Sequence, residues 1–345
     1  NGDLDTSALA TFCESNLYTS DFSADEDGLT ASGATLAGNV DVFGLTDTLK
    51  FTVSATTGTK FITLPSVVIG KQYRVTFKIY NPSSNSVVTG IRVSNPNYSN
   101  ILGSSIATTD AWVNVSRVFT AASTDLRIFA EPFSIAGNGT DALYFKDIEI
   151  TEVTDAFCKV WYDQSGNGND ATQTTTASQP KVYDSATGVE LENGKPSLRF
   201  DGTDDTLTFT EVSNIATLLL IAAPDDTTGN GSCFVLGDNN TYNYHSGDGG
   251  IWLNSTFSAA SVRNGDNYLN GTLTNLTTTQ RTTAQVSLAM FHDGTATGSQ
   301  LFQDRTGSKH WTGTAQEFII YASDQSTNRT GIETNINNHY SIYTP

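Results

Sequence analysis

The stretch Cys158–Asp170 reads CKVWYDQSGNGND, and the interpretation of the whole sequence starts from it. Its first half predicts a β-strand, because Lys159–Tyr162 carries aromatic and β-branched residues that suit a pleated, half-buried surface. Its second half predicts an ordered turn, since Gly166 and Gly168 permit positive φ and Asn and Asp side chains hydrogen-bond their own backbone. A strand that delivers carboxylates and amides to such a loop favours a sugar or calcium site, and it fits a structural corner equally well.

The composition predicts an all-β protein of two domains. With 345 residues, the chain is longer than a usual single core. Hydrophobic residues make up 37% and charged residues only 16%, with 18 Phe, 13 Tyr and 4 Trp. A chain of this kind, rich in Thr, Ser, Asn and Gly, favours strands and polar turns over helices, and its aromatic content argues against disorder.

The charge balance is acidic, with 36 Asp and Glu against 18 Lys and Arg and a formal net charge of −18. No Lys/Arg cluster is available to displace counterions from phosphates, so we expect no nucleic-acid binding. No apolar run approaches the roughly 20 residues that span a bilayer, so we expect no membrane insertion. The acidic surface fits an extracellular or virion protein and could gather calcium, or it only aids solubility. Because the chain starts at Asn1, we also expect a processed or partial product.

Two parts of the chain show strand patterns of different kinds. Residues 17–154 contain short alternating runs broken by Gly, Asn, Pro and Ser, which predict an antiparallel β-sandwich. In residues 155–345, the apolar run Thr217–Pro224 predicts a strand buried on both faces. Near the end, Ile332 and Ile336 recur at helical spacing, so we expect one short C-terminal helix.

The later part resembles the catalytic domain of fungal and bacterial α-L-arabinofuranosidase B. The likeness rests on ATFC at 10–13, FCKVWYDQSGNGNDAT at 157–172, NGKPSLRFDGTDD at 193–205 and GTAQEFIIYASDQSTNRTGIETNINNHYSIY at 313–343. The resemblance implies a concanavalin-A-like sandwich and covers roughly residues 1–13 and 157–345. The same signature is similar to jelly-roll modules of tail-fibre and other appendage proteins of marine and gut phages.

The segment 17–154 looks like a domain inserted into that sandwich, whose own parts are then residues 1–16 and 155–345. It is similar to jelly-roll carbohydrate-binding modules, whose last strand often reads Y-x-x-D followed by alternating apolar residues, as ALYFKDIEI does with Asp147. This resemblance implies a structural calcium ion held by residues of the first and last strands, namely Asp21, Asp25, Glu26 and Asp147. The insertion also implies a disulfide between Cys13 and Cys158, which lie at its two junctions.

The sequence departs from the enzyme family at its carboxylates. A retaining hydrolase needs a nucleophile and an acid about 5–5.5 Å apart. The stretch SGDGGIWLN, which matches the nucleophile strand, offers only Asp248, and residues 309–312 (KHWT) occupy the place of the acid. We therefore expect a protein without enzymatic activity. If the hydrolase alternative holds, its candidate carboxylates are Asp163, Asp201, Asp204, Asp205 and Asp248.

Aromatic and amide side chains beside polar turns favour sugar binding. Sugar rings stack their C–H faces on aromatic rings, and Asn and Asp bind the hydroxyls. The predicted glycan-binding residues are Trp161, Tyr162, Asp163, Asn167, Asn169, Asp170, Tyr242, Tyr244, His245, Trp252 and Trp311. Most Trp residues of a sandwich lie in its core, so a structural role stays open for each of them.

Together these observations predict two antiparallel jelly-roll β-sandwich domains, one inserted in the other. The favoured function is a non-enzymatic virion or extracellular appendage protein, such as a phage tail or capsid fibre or decoration, that recognises cell-surface glycans. Its expected partners are extracellular polysaccharides and other subunits of the virion or appendage, in a homo-oligomer. The alternatives are an arabinofuranosidase-like retaining glycoside hydrolase and a purely structural building block of a capsid or filament.

Overall fold

The computed structural model describes residues 13–94, 110–228, 236–237, 243–246 and 248–344. Contacts divide the chain into two compact units, the first ending at Thr154 and the second beginning at Asp155. We call them the N-terminal and C-terminal units. In the described residues every strand pairing within the sheets of both units is antiparallel, which confirms the predicted all-β class. None of the described helices is long and apolar enough to cross a membrane.

The N-terminal unit consists of two main sheets. Its strands are β1 Glu14–Thr19, β2 Thr30–Ser32, β3 Ala34–Val42, β4 Leu45–Val53, β5 Thr57–Gly58, β6 Phe61–Leu64, β7 Gln72–Tyr80, β8 Gly90–Ser94, β9 Trp112–Thr120, β10 Leu126–Glu131, β11 Ile135–Ala136 and β12 Ala142–Val153. The larger sheet has the order β3-β4-β12-β7-β9, with β1 also paired to β12. The smaller sheet has the order β2-β6-β10-β8, and β5 pairs with β11.

Strand β7 shows why these elements form. Its sequence QYRVTFKIY alternates, and Tyr73, Val75, Phe77 and Ile79 all point into the apolar core of the unit. Burying each such side chain stabilises the fold by about 1.5–3 kcal/mol before conformational entropy is counted. The residues between them lie on the opposite side of the larger sheet, which we call its outer face.

The C-terminal unit is built on one large sheet. Its strands are β13 Ala156–Phe157, β14 Val160–Trp161, β15 Ala171–Thr172, β16 Lys181–Asp184, β17 Gly188–Val189, β18 Leu191–Glu192, β19 Lys195–Pro196, β20 Leu198–Asp201, β21 Leu207–Pro224, β22 Leu236–Gly237, β23 Asp266–Leu269, β24 Thr272–Leu273, β25 Val286–Leu301 and β26 Thr312–Tyr321. Its helices are α1 Ala260–Arg263 and α2 Arg329–Tyr340, with 3-10 turns at Thr176–Ser178, Asp248–Gly250 and Ser326–Asn328. The main strand order is β13-β16-β20-β26-β21-β25-β23-β24.

The run Thr217–Pro224 forms the end of β21 and is buried throughout, as its unbroken apolar sequence predicts. Leu218 and Leu220 face the main core of the unit. Leu219 and Ile221 face the other way, where Ile336 of α2 packs against them. Because a helix covers the second face of the sheet, residues 218–223 of this strand are apolar on both faces. The expected short C-terminal helix is therefore confirmed, and α2 is the element that buries this face.

The predicted domain boundary at residue 16 falls inside β1. Residues Glu14 and Asn16 pair with Val153 and Thr151 of β12, so they belong to the N-terminal unit and not to the second domain. The insertion itself stays a prediction, because residues 1–12 lie outside the described part of the chain.

Candidate functional site

The loop that follows β14 is held by its own side chains. The carboxylate of Asp163 accepts hydrogen bonds from the backbone N–H groups of Ser165 (2.8 Å) and Asn169 (3.0 Å), and Asp170 accepts from Asp163 N–H (2.8 Å). The hydrogen bonds from Ser165 and Asn169 lower the pKa of Asp163 below its usual range. Asn167 donates from its side-chain amide to the Ser165 hydroxyl (2.9 Å). The carboxylates of Asp163 and Asp170 therefore stabilise the turn, and the loop is a structural corner.

Trp161 and Tyr162, which lead into this loop, line a concave cavity of about 240 Å³. We call it the Trp161 cavity. Trp161 is half-buried, whereas Tyr162 leaves 66% of its surface exposed. The apolar part of the wall consists of Cys158, Val160, Val182, Pro196, Leu198 and Ala315. The remaining lining residues carry polar groups and comprise Gln164, Lys195, Ser197, Gln316, His339 and Tyr340.

The end of α2 brings two of the rings to this cavity. His339 and Tyr340 are the last residues of the helix, and their rings meet edge-on at 4.6 Å. The side-chain amide of Asn193 donates to the Tyr340 carbonyl at 2.7 Å. That hydrogen bond holds the end of α2 against the turn that precedes β19. The rings of His339 and Tyr340 therefore line the same cavity as the residues of β19.

Gln316 of β26 holds the same β18–β19 hairpin from the side of the sheet. Its Nε2 donates to the backbone carbonyls of Glu192 (3.0 Å), Lys195 (3.0 Å) and Pro196 (3.1 Å). Next to this contact, the Ser197 hydroxyl is buried and has no hydrogen-bond partner among the described residues. The wall is therefore rigid, and one of its polar groups is left without a partner.

Four of the predicted sugar-binding residues are core residues instead. Trp252 and Trp311 are 0% exposed and pack in the main core of the C-terminal unit. Tyr244 is equally buried, which raises the pKa of its hydroxyl well above the usual value, and it makes a 2.9 Å hydrogen bond with His292 Nε2. His245 is also buried, and its Nδ1 lies 2.6 Å from the Ser246 carbonyl. These predictions are corrected. Tyr242 lies outside the described residues.

The residues predicted to bind calcium form no metal-ligand cluster among the described residues. Asp147 lies at a bulge of β12 with φ of 53°, and its carboxylate pairs with Lys78 Nζ at 2.7 Å. Asp21 accepts two hydrogen bonds from Ser23, and Asp25 accepts one from the N–H of Asp27. The predicted set, Asp21, Asp25, Glu26 and Asp147, forms no group of ligand atoms within 4.8 Å of one another in the described part of the chain. In this structure Lys78 of β7 pairs with the Asp147 carboxylate, and the calcium site stays a prediction.

Three of the candidate carboxylates for hydrolysis do lie together. The side-chain oxygens of Asp201, Asp204 and Asp205 are all within 4.8 Å of one another. Asp205 accepts from Asp201 N–H at 2.9 Å, and Asp204 accepts from the Ser178 hydroxyl at 2.7 Å. Burial of Asp205, with the neighbouring carboxylates, raises its pKa to about 7. This cluster closes the turn after β20 and lines neither the Trp161 cavity nor the second cavity, which lies around Arg263 and Asn275. The side chain of Asp248 is outside the described part.

The predicted disulfide is not formed. Cys13 and Cys158 both belong to the described residues, and Cys158 is a free thiol in the wall of the Trp161 cavity. Burial raises the pKa of this thiol to about 11, so it carries no charge at neutral pH. The prediction of a disulfide at the two junctions is corrected accordingly.

The sequence analysis missed an aromatic row in the N-terminal unit. The register places Tyr144 opposite Tyr80, and Tyr80 opposite Trp112, on the outer face of the larger sheet. Phe43, at the β3–β4 turn, stacks on Tyr80 with a ring separation of 3.9 Å and is 44% exposed. Lys78, two residues before Tyr80, lies in the next row. An aromatic residue on the polar side of the alternating pattern of β7 was the signal that could have revealed this row.

Comparison with known proteins adds only distant likenesses. No protein-family model matches the sequence, and no curated protein matches it. The chain is similar to the CBM22-1 xylan-binding domain of Xyn10C from Paenibacillus barcinonensis, at 14% identity and a TM-score of 0.32 over 42% of this chain and 98% of that chain. The CBM22-1-CBM22-2 tandem domain of the same protein gives 11% identity and a TM-score of 0.32 over 90% of this chain and 98% of that chain. Tandem CBM51 modules of a family 98 glycoside hydrolase from Streptococcus pneumoniae give 10% identity and a TM-score of 0.24 over 89% of this chain and 97% of that chain.

TM-scores this low carry no argument about activity or ligand. The resemblance to α-L-arabinofuranosidase B stays a prediction, since no family model matches. The fold and the cavity themselves define the class of protein as an antiparallel β-sandwich protein with an aromatic-walled cavity.

Proposed function

We propose that this protein binds glycans without hydrolysing them, and that the Trp161 cavity holds one sugar residue. The observation that carries the proposal is the pairing of an exposed Tyr162 ring with a half-buried Trp161 at a concave wall that also offers amide and hydroxyl groups. Sugars use both kinds of contact, since their C–H faces stack on rings and their hydroxyls hydrogen-bond to polar side chains.

The size of the cavity supports a single sugar residue. Pockets for drug-sized ligands measure about 300–1,000 Å³. At about 240 Å³ the Trp161 cavity is smaller, so it fits one ring better than an extended oligosaccharide. The second cavity is larger, at about 540 Å³, but its lining contains no aromatic ring among the described residues. It therefore lacks the stacking surface that the proposal requires.

A glycan array with the full chain tests the proposal, run in calcium and again with a chelator. Tyr162→Ala removes the exposed ring, and we expect about tenfold weaker binding, equivalent to about 1.4 kcal/mol. Phe257→Ala is the matched control, because Phe257 is also an exposed ring of the C-terminal unit and does not line the cavity. Equal binding by Tyr162→Ala and the unchanged protein would remove the cavity from the proposal. A requirement for calcium would support the predicted cofactor.

The aromatic row of the N-terminal unit is proposed as a second glycan contact. Phe43 and Trp112 present ring surface on an outer face that also carries Lys78 and Asn114. Phe43→Ala removes the exposed ring of this row without touching the C-terminal unit. A loss of binding in Phe43→Ala that adds to the loss in Tyr162→Ala would indicate two independent contacts.

In the same proposal the protein acts at the surface of a virion or outside the cell, as part of a phage tail or capsid fibre or decoration. The support is the likeness of CKVWYDQSGNGND to appendage modules. A homo-oligomer is expected in this setting, and sedimentation of the full chain measures it. Regular self-assembly without binding to any glycan on the array would favour a structural building block of a capsid or filament instead.

One observation favours hydrolysis as a second candidate function. Asp201, Asp204 and Asp205 bring their oxygens within 4.8 Å, and one of them has a pKa of about 7. Retaining glycosidases use two carboxyl groups at such short range, one of which is protonated at neutral pH. Release of arabinose from an aryl arabinofuranoside, lost in Asp205→Asn, would establish this candidate. We expect no release.

A further inference from the structure

We propose that the Trp161 cavity selects a sugar that bears a carboxylate, and that Lys195 and Ser197 bind this carboxylate together. The inference rests on the proposed function, because it names the class of sugar for the same cavity. A uronic acid residue at the end of an extracellular polysaccharide is the ligand to which we commit.

The charge of the cavity is the first step. The chain has twice as many acidic as basic residues, 36 against 18. None of the described residues that line the Trp161 cavity is Asp or Glu, whereas Lys195 and His339 both line it. A cavity without carboxylates in so acidic a protein attracts an anion more readily than the surrounding surface does.

The second step is that Lys195 has no anionic partner within the described part of the chain. Glu192 lies opposite Lys195 in the β18–β19 register, but its carboxylate makes no ion pair with the Lys195 ammonium group within 4.0 Å. Glu190 lies 3.6 Å from the Arg199 guanidinium, and Glu192 accepts a 2.9 Å hydrogen bond from the Thr314 hydroxyl. The ammonium group of Lys195 is therefore available to a ligand.

The third step is the Ser197 hydroxyl. Ser197 is 4% exposed, lines the same cavity, and its Oγ has no hydrogen-bond partner among the described residues. Lys195 and Ser197 are two positions apart in the sequence, and both line the cavity. A buried hydroxyl without a partner is unfavourable, and a ligand that accepts a hydrogen bond from it removes that cost.

A carboxylate can accept hydrogen bonds from the Lys195 ammonium group and the Ser197 hydroxyl at the same time. Lysine only donates hydrogen bonds, and the serine hydroxyl can donate as well. Two neighbouring donors, one of them charged, match the two acceptor oxygens of a carboxylate better than a sugar hydroxyl does. Trp161 and Tyr162 then contact the ring that carries it. The cavity thus combines a stacking surface with a carboxylate-binding wall.

Calorimetry on the full chain tests the inference with glucuronate, galacturonate and N-acetylneuraminate, against glucose and galactose. We expect the two uronates to bind at least tenfold more tightly than the neutral sugars. Lys195→Met should abolish this preference. Ser197→Ala should lower uronate affinity several-fold without lowering thermal stability, because the hydroxyl has no partner to lose.

Lys159→Met is the matched control, since it removes one positive charge from an exposed residue that does not line the cavity. Its uronate affinity should equal that of the unchanged protein. Equal binding of acidic and neutral sugars would overturn the inference and leave the proposed function standing. Preference for N-acetylneuraminate over both uronates would overturn the choice of uronate. Failure of every sugar to bind, at the array and in calorimetry, would overturn the proposed function and this inference with it.

Discussion

At the scale of single residues, burial decides the chemistry of the acidic side chains. Asp205 is 5% exposed, and its pKa is raised to about 7 by burial. Asp163 is held by hydrogen bonds in its own loop, and its pKa is lowered. Both residues are aspartates beside glycine turns in the sequence, so the sequence alone gives no means of telling their roles apart. Their different surroundings in the fold shift their pKa values in opposite directions.

Asp205→Asn should change how stability depends on pH. A folded-state pKa of about 7 lies above the ordinary value of 3.8, so the native protein binds this proton more tightly than the unfolded chain does. The resulting stability is full below the ordinary pKa and is lost as pH rises through 7. Between pH 5 and pH 8 we expect the unchanged protein to lose about 2–3 kcal/mol of unfolding free energy relative to Asp205→Asn. Urea denaturation at the two pH values measures the difference.

Asp163→Asn is the control for that measurement. Its pKa shift has the opposite direction, so its contribution is present above the ordinary pKa and lost only as the pH falls below that range. The pH dependence of Asp163→Asn between pH 5 and pH 8 should therefore match that of the unchanged protein. If Asp205→Asn showed that same dependence as well, the assigned burial of Asp205 would be wrong.

At the scale of elements, the sequence predicts strands and the final helix better than it predicts the site. The run Thr217–Pro224 and the helical spacing of Ile332 and Ile336 are local patterns, and both predictions are confirmed. The wall of the cavity is assembled from β14, β16, the consecutive strands β19 and β20, β26 and α2, which are spread over residues 160–340. No local pattern could place Lys195 beside Trp161. The same limit explains why Trp252 and Trp311, which neighbour polar turns, turned out to be core residues.

Asn337→Ala should show that the end of α2 builds the cavity wall. The Oδ1 of Asn337 accepts hydrogen bonds from Ile342 N–H (2.9 Å) and Tyr343 N–H (3.0 Å), and its Nδ2 donates to the Tyr343 carbonyl (2.7 Å). Losing these buried contacts should cost about 1–3 kcal/mol of unfolding free energy. Because His339 lies next to them on the helix, sugar affinity should fall too. Thermal melts and calorimetry give the two values.

The neighbouring residue offers a matched control for the helix end. Asn338 is exposed on the same helix, so Asn338→Ala should leave both stability and sugar affinity within error of the unchanged protein. Asn337→Ala that kept full stability would contradict the role given to its side-chain amide. If Asn337→Ala lowered stability but left sugar affinity unchanged, the end of α2 would not contribute to sugar binding.

At the scale of the whole molecule, the excess of negative charge works against the compact state. A net charge of −18 repels itself, and exposed ion pairs such as Lys71–Glu152 contribute little in return. The proposed uronate site has the opposite electrostatics, since it attracts an anion to a lysine inside this negative field. Added salt should therefore stabilise the fold and weaken the binding of a uronate.

Raising NaCl from 10 mM to 150 mM at pH 7 shortens the screening length from about 30 Å to about 8 Å. Weaker self-repulsion should raise the melting temperature by about 2–5 °C. Near pH 4.4, where the chain is neutral overall, the same change in salt should have almost no effect. Over the same range at pH 7, the affinity for glucuronate should fall while that for glucose stays constant. A melting temperature that fell with salt at pH 7 would mean that attractive pairs outweigh the repulsion, and the electrostatic account of this fold would have to be reversed.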